Sequence, residues 1–220
     1  MNSRKIQTLP VEWLSVFMLE INGISYRYKG RQWLFRNLRM KMKPGEVVGL
    51  YGMSGSGKTT MARIIAGYLN PLEGHVTADG RPYPIKGVHP VQLVWQHPEK
   101  VINPRWKMRK VLAEVGGTSD SDLLGTLGIQ KEWLNRWPSE LSGGELQRFS
   151  LVRALGFNTN YLIADEMTTM LDAITQAQIW QAVLQLVKQR NIGVLAISHD
   201  QHLLHRISDR IINFNTLIER

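Results

Sequence analysis

The segment "VVGLYGMSGSGKTTMARIIAGYL" restricts this chain more than any other. Gly52–Thr59 matches G-x-x-x-x-G-K-[ST], between the apolar run Val47–Tyr51 and a stretch with helical spacing of apolar residues. A buried strand, a glycine-rich turn and a helix start, in that order, aim several backbone amides into one concavity that suits phosphate oxygens. Gly52, Gly55 and Gly57 let the loop wrap, with Ser54 and Ser56 between them. Lys58 brings a point charge to the terminal phosphates, and the Thr59 hydroxyl suits magnesium. Thr60, in the first helical turn, joins Ser54 and Ser56 as an expected nucleotide-binding residue. The site is one for a nucleoside triphosphate with Mg2+.

Short apolar runs alternate with helical patterns along the rest of the chain. Strands are predicted at Val47–Tyr51, Val91–Trp95, Tyr161–Ala164, Val194–Ser198 and Arg210–Phe214, and a long amphipathic helix at Ile174–Lys188. Such alternation predicts an α/β fold with a mainly parallel core sheet covered by helices. "LEINGISYRY" and "QWLFRNLRMKMKPGE" instead predict an antiparallel N-terminal layer around a turn at Lys29–Arg31. Pro98, Pro104 and Pro138 punctuate short helices expected at 106–115, 119–127 and 130–136, an inserted helical subdomain. The expected division is a single domain over 18–220, its core 18–96 and 151–220, its helical part about 97–150.

Cysteine is absent, which removes disulfides and thiolate metal sites. No apolar run approaches the roughly 18 residues of a membrane span. Residues 1–17 read as an N-terminal extension outside the fold, free to be disordered, with Met18 an alternative start. The net charge of +9 is spread along the chain, densest at 27–43 and 100–110, without the aromatic–basic interleaving of an RNA-binding surface. The charge alone leaves nucleic acid, an anionic membrane surface or no specific partner open.

The strand at Tyr161–Ala164 ends in Asp165–Glu166. Beside a phosphate loop, Asp165 is the expected magnesium partner, and Glu166 a carboxylate able to orient and deprotonate water. A second glycine-rich helix start occurs in "ELSGGELQRF". Ser142 with Glu145 three positions on is a capping box, which accounts for those two residues. It leaves Gly143 and Gly144 unexplained, at a cost of about 1 kcal/mol each against alanine. Bare glycines at a helix start suit an approaching anion.

Joined in this order, the motifs resemble those of the ATP-binding cassette (ABC) ATPases, from about Met18 to the C-terminus. "GMSGSGKTT" resembles their Walker A, "LVWQHP" their Q-loop, "LSGGELQR" their signature, "YLIADE" their Walker B, "MLD" their D-loop and "AISHD" their H-loop. The resemblance implies the P-loop NTPase fold of ABC ATPases, with ATP and Mg2+ as ligands. It implies that Leu141, Ser142, Gly143, Gly144 and Glu145 act in trans, on the terminal phosphate held by a second ABC ATPase subunit. It further implies that Tyr28 stacks on adenine, with Tyr26 the alternative. Gln96 and His199 join Glu166 as catalytic residues, Gln96 also meets magnesium beside Thr59 and Asp165, and Asp172 is the D-loop aspartate. Asp172 also reads as the N-cap of the helix that follows.

Two departures stand out. Met167 occupies the position of a usual proline after the Walker B glutamate, which predicts a looser link to the D-loop, and His97 stands where aspartate is common. His199, His202 and His205 invite a metal site, but no carboxylate–histidine arrangement completes one. "QHPEKVINPRWKMRKVL" resembles the oligopeptide/nickel importer branch. That implies membrane permease subunits, an extracytoplasmic substrate-binding protein reached indirectly, and a peripheral place on the cytoplasmic face of the plasma membrane. The alternative is an ABC subunit of a soluble complex of the carbon–phosphorus lyase kind. DNA-repair relatives carry long coiled coils between Q-loop and signature, unlike the short segment from Gln96 to Leu141, so the resemblance implies no nucleic-acid partner.

Overall fold

The computed structural model describes residues 17–84, 88–114, 120–156 and 159–219. The extension expected over 1–17 lies outside them, except for exposed Phe17. In chain order the strands are β1 (Leu19–Tyr26), β2 (Phe35–Met42), β3 (Val47–Tyr51), β4 (Glu73–Ala78) and β5 (Arg81–Pro82). They continue as β6 (Val91–Val94), β7 (Tyr161–Asp165), β8 (Gly193–Ile197) and β9 (Arg210–Asn213). The α-helices are α1 (Lys58–Ile65), α2 (Met108–Ala113), α3 (Ser121–Thr126), α4 (Gly143–Ala154), α5 (Ala173–Arg190) and α6 (Gln201–Ile207).

Five strands form the parallel sheet β6-β7-β8-β3-β9, and four form the antiparallel sheet β2-β1-β4-β5. The parallel strands are apolar throughout because both their faces are buried. Along β7 and β8, Leu162, Ala164, Val194 and Ala196 enter one core, while Tyr161, Ile163, Leu195 and Ile197 enter another. The second core is the space between the two sheets and contains α1 through Met61, Ala62, Ile64 and Ile65. The first core lies on the opposite face, where α4 and α5 pack with α2 and α3.

Three of the sequence expectations need correction. The segment 130–136 forms a 3-10 turn, Lys131–Asn135, not an α-helix, since Trp133 N donates to Gln130 O and Pro138 soon follows. The helices expected at 106–115 and 119–127 are shorter; α3 starts where the Asp120 carboxylate accepts from Leu123 N at 2.9 Å. β4 and β5 gave no strand pattern, because "EGHVTA" is exposed over its first half and "RP" is an exposed edge. Among the predicted parallel strands Val47–Tyr51 is unchanged and the others move by no more than one residue at either end, while β1 and β2 are shorter than the segments read for them.

Candidate functional site

The loop after β3 turns through Gly55 at φ 76° and Gly57 at φ 110°, the left-handed region that glycine tolerates. A Cβ on Gly57 would also lie 2.9 Å from Leu34 Cγ, so the β1–β2 hairpin sets how closely this loop is held. Lys58 Nζ donates to Gly52 O at 2.7 Å and Met53 O at 2.8 Å. Its side chain is buried, which lowers the lysine pKa against the opposing pull of Glu166 and Asp165. The buried Ser56 Oγ has no hydrogen-bond partner within the chain. A desolvated cation and an orphaned hydroxyl in a ring of amides are what a polyphosphate would satisfy.

The parallel register brings β7 beside β8 and β8 beside β3, so Asp165 and Glu166 emerge near the helix start of α1. Burial raises the Asp165 carboxyl above its usual range, while a hydrogen bond with the Thr59 side chain opposes the rise. A hydroxyl and a buried carboxylate are hard oxygen donors, and a divalent cation there would favour the charged carboxylate. The pair fits magnesium. Glu166 has φ 51°, uncommon for a residue with a side chain, and its N–H donates to Ile197 O. The strained turn places its carboxylate 3.6 Å from His199 Nδ1, with His199 exposed at the end of β8.

Tyr28 lies in the loop after β1, half exposed, and shares a 3.1 Å hydrogen bond with Thr60 Oγ1. Tyr26 packs on the between-sheet core and meets the Tyr28 ring edge-on at 5.2 Å. The open ring at this site is therefore Tyr28. Gln96 follows β6, two residues beyond Val94 and partly buried.

At the second glycine-rich start, Ser142 N donates to Glu145 Oε2 at 2.8 Å and Glu145 N to Ser142 Oγ at 3.3 Å. The capping box is thus formed. Gly144 has a local cause, since a Cβ there would lie 2.7 Å from Thr175 Cγ2 at the start of α5. Gly143 has none: its nearest neighbour, Leu171 Cδ2, lies at an ordinary 3.7 Å. Asp172 caps α5 by accepting from Ile174 N and Thr175 N, and also from Thr175 Oγ1 at 2.6 Å. That hydroxyl bond holds its carboxyl below the usual range. The two glycine-rich helix starts therefore belong to helices on opposite faces of the parallel sheet, α1 on one and α4 on the other.

Residues 35–169 match the family model described as ABC transporter. The chain belongs to that family. It is an ATPase domain of it, with the fold of a P-loop ABC cassette. The chain is 35% identical over 194 residues to the oligopeptide transport ATP-binding protein OppF of Streptococcus mutans, a match covering 80% of this chain and 63% of OppF. It is 32% identical over 212 residues to the nickel import system ATP-binding protein NikE of Staphylococcus aureus, covering 89% of this chain and 85% of NikE. The dimeric structure of MJ0796, a bacterial ABC transporter cassette, superposes with a TM-score of 0.77 at 25% identity, over 92% of this chain and 97% of that one.

The ABC motifs were legible in the sequence; the residues that brace them were less so. Buried Gln147 in α4 points Nε2 at Trp95 O, 3.5 Å away, next to Gln96. It lies within "LSGGELQR", yet its burial could not be read from that string. The looser link expected from Met167 is not found. Met167 is buried in the first core, and the buried Thr168 Oγ1 accepts from Gln176 Nε2 at 2.9 Å and Trp180 Nε1 at 3.1 Å. Side-chain packing and two hydrogen bonds replace the missing proline constraint. Thr168→Val leaves both donors short of an acceptor, and should destabilise the ABC domain by about 1–3 kcal/mol in urea unfolding.

Proposed function

We propose that this chain is the ATP-hydrolysing subunit of an importer for peptides, nickel or metal chelates, working as a dimer that nucleotide closes. The observation that carries the dimer is the placement of α1 and α4 on opposite faces of one sheet. One chain then carries two half-sites, with the sheet lying between their helices. Each is completed by a second ABC ATPase subunit, identical or related, and the amides of Leu141–Glu145 meet the terminal phosphate held by the partner's loop.

Within each completed site, the loop Gly52–Gly57 and Lys58 hold the phosphates, and Thr59, Asp165 and Gln96 would hold magnesium. When bound, that ion neutralises charge on the β- and γ-phosphates. Glu166 accepts a proton from water as the water oxygen attacks the γ-phosphorus and the bond to the β-phosphate oxygen breaks. His199, 3.6 Å from Glu166, stands where it can steady that carboxylate and the departing phosphate. Loss of the terminal phosphate removes the charge that the signature amides hold, and the dimer opens.

Support for the importer comes from the similarity to OppF and NikE. Among the described residues no helix is long and apolar enough to cross a membrane. In the proposed importer the spanning role falls to permease subunits as partners. The subunit then sits at the cytoplasmic face of the plasma membrane, and a substrate-binding protein acts from the far side. Purification of the tagged chain from native membranes in mild detergent should bring down permease subunits. Recovery only within a soluble multi-enzyme assembly overturns the importer.

A further inference from the structure

We propose that Thr60 is a positioning residue for the nucleotide base, its hydroxyl holding the Tyr28 ring in place before ATP arrives. The proposal rests on the reading of Tyr28 as the surface on which adenine stacks. The two side chains come from positions 32 apart, one from the loop after β1 and the other from the first turn of α1. Their hydroxyls share a 3.1 Å hydrogen bond in which either can donate. Thr60 is buried at 7% exposure, whereas Tyr28 is 43% exposed.

Tyr28 is thus held at its tip by Thr60 and packed against Tyr26, whose ring stands at 89° to it with centroids 5.2 Å apart. What remains free is ring surface. An exposed tyrosine on a loop otherwise samples several rotamers, and immobilising such a side chain on binding weakens affinity by about 2- to 10-fold. The bond to Thr60 removes that freedom in advance. It also ties the ring to the helix whose start receives the phosphates, so the distance between base and phosphate sites is set by one rigid element. The hydroxyl of Tyr28 then matters for ligands that carry a base and not for bare polyphosphate.

Isothermal titration of the full chain with MgATP and with inorganic tripolyphosphate separates the two contributions. Tyr28→Phe keeps the ring and loses the tether; it should weaken MgATP about 3- to 10-fold, the size of one hydrogen bond, and leave tripolyphosphate affinity unchanged. Thr60→Ser should bind as the unaltered chain does. The double variant Tyr28→Phe/Thr60→Val should bind MgATP no more weakly than Thr60→Val alone. Tyr28→Ala should lose about tenfold or more, as removal of a base-stacking ring does. If Tyr28→Ala weakens MgATP and Tyr28→Phe does not, the tether is overturned while stacking stands. A Tyr28→Phe that weakens both ligands equally also overturns it. A Tyr28→Ala that binds MgATP normally removes the stacking surface itself, and the tether with it.

Discussion

Glu166→Gln is expected to cut steady-state ATP hydrolysis by about 10²- to 10⁴-fold, the usual contribution of a positioned general base. The replacement keeps size and shape, so the left-handed backbone at φ 51° meets no new clash, and the N–H bond to Ile197 O is untouched. It removes one negative charge close to Lys58, whose pKa responds to that charge. ATP affinity should therefore hold or rise slightly. With hydrolysis blocked and binding intact, MgATP should drive the variant into dimers in light scattering, and ADP should not. Normal turnover would take Glu166 out of the mechanism. A slow variant that stays monomeric with ATP, even beside its natural partner subunit, would leave the separate half-sites of α1 and α4 without a use.

The parallel core was legible because its strands are buried on both faces: Tyr161–Asp165 and Gly193–Ile197 are apolar almost without interruption, and burial follows. The same logic explains the failures. β4 is exposed over its first half and ordered by pairing with β1, through Glu20↔Thr77 and Ile21↔Val76, while β5 is an exposed edge paired with β4, and such pairing leaves little mark on composition. The phosphate loop and the capping box were legible because backbone geometry itself demands glycine and serine there. Thr168, Gln147 and the Tyr28–Thr60 bond were not, since each depends on a partner brought close by the fold and not by sequence spacing. Gly144 was read as open to an anion alone, whereas the approach of Thr175 supplies a second reason for a bare Cα. Gly143 keeps the original one.

Lys58→Ala should weaken MgATP binding by at least 10- to 100-fold, as expected for losing a charge-assisted hydrogen bond to phosphate worth about 1.5–3 kcal/mol. The loss has to be separated from damage to the fold, and the local energetics allow it. Lys58 is 6% exposed, and burial disfavours its charged form. Alanine ends that desolvation cost and is the best helix former at a helix start that carries no side-chain cap. Against this stand the bonds to Gly52 O and Met53 O, two carbonyls at the mouth of the loop that water can reach once the ammonium is gone. The opposing effects nearly cancel, so thermal unfolding without nucleotide should shift by only a few degrees while the nucleotide-induced rise in Tm largely disappears. Unchanged ATP affinity would contradict the phosphate-loop assignment. A collapse in Tm without nucleotide would make Lys58 a structural cation, held for its loop carbonyls and not for a ligand.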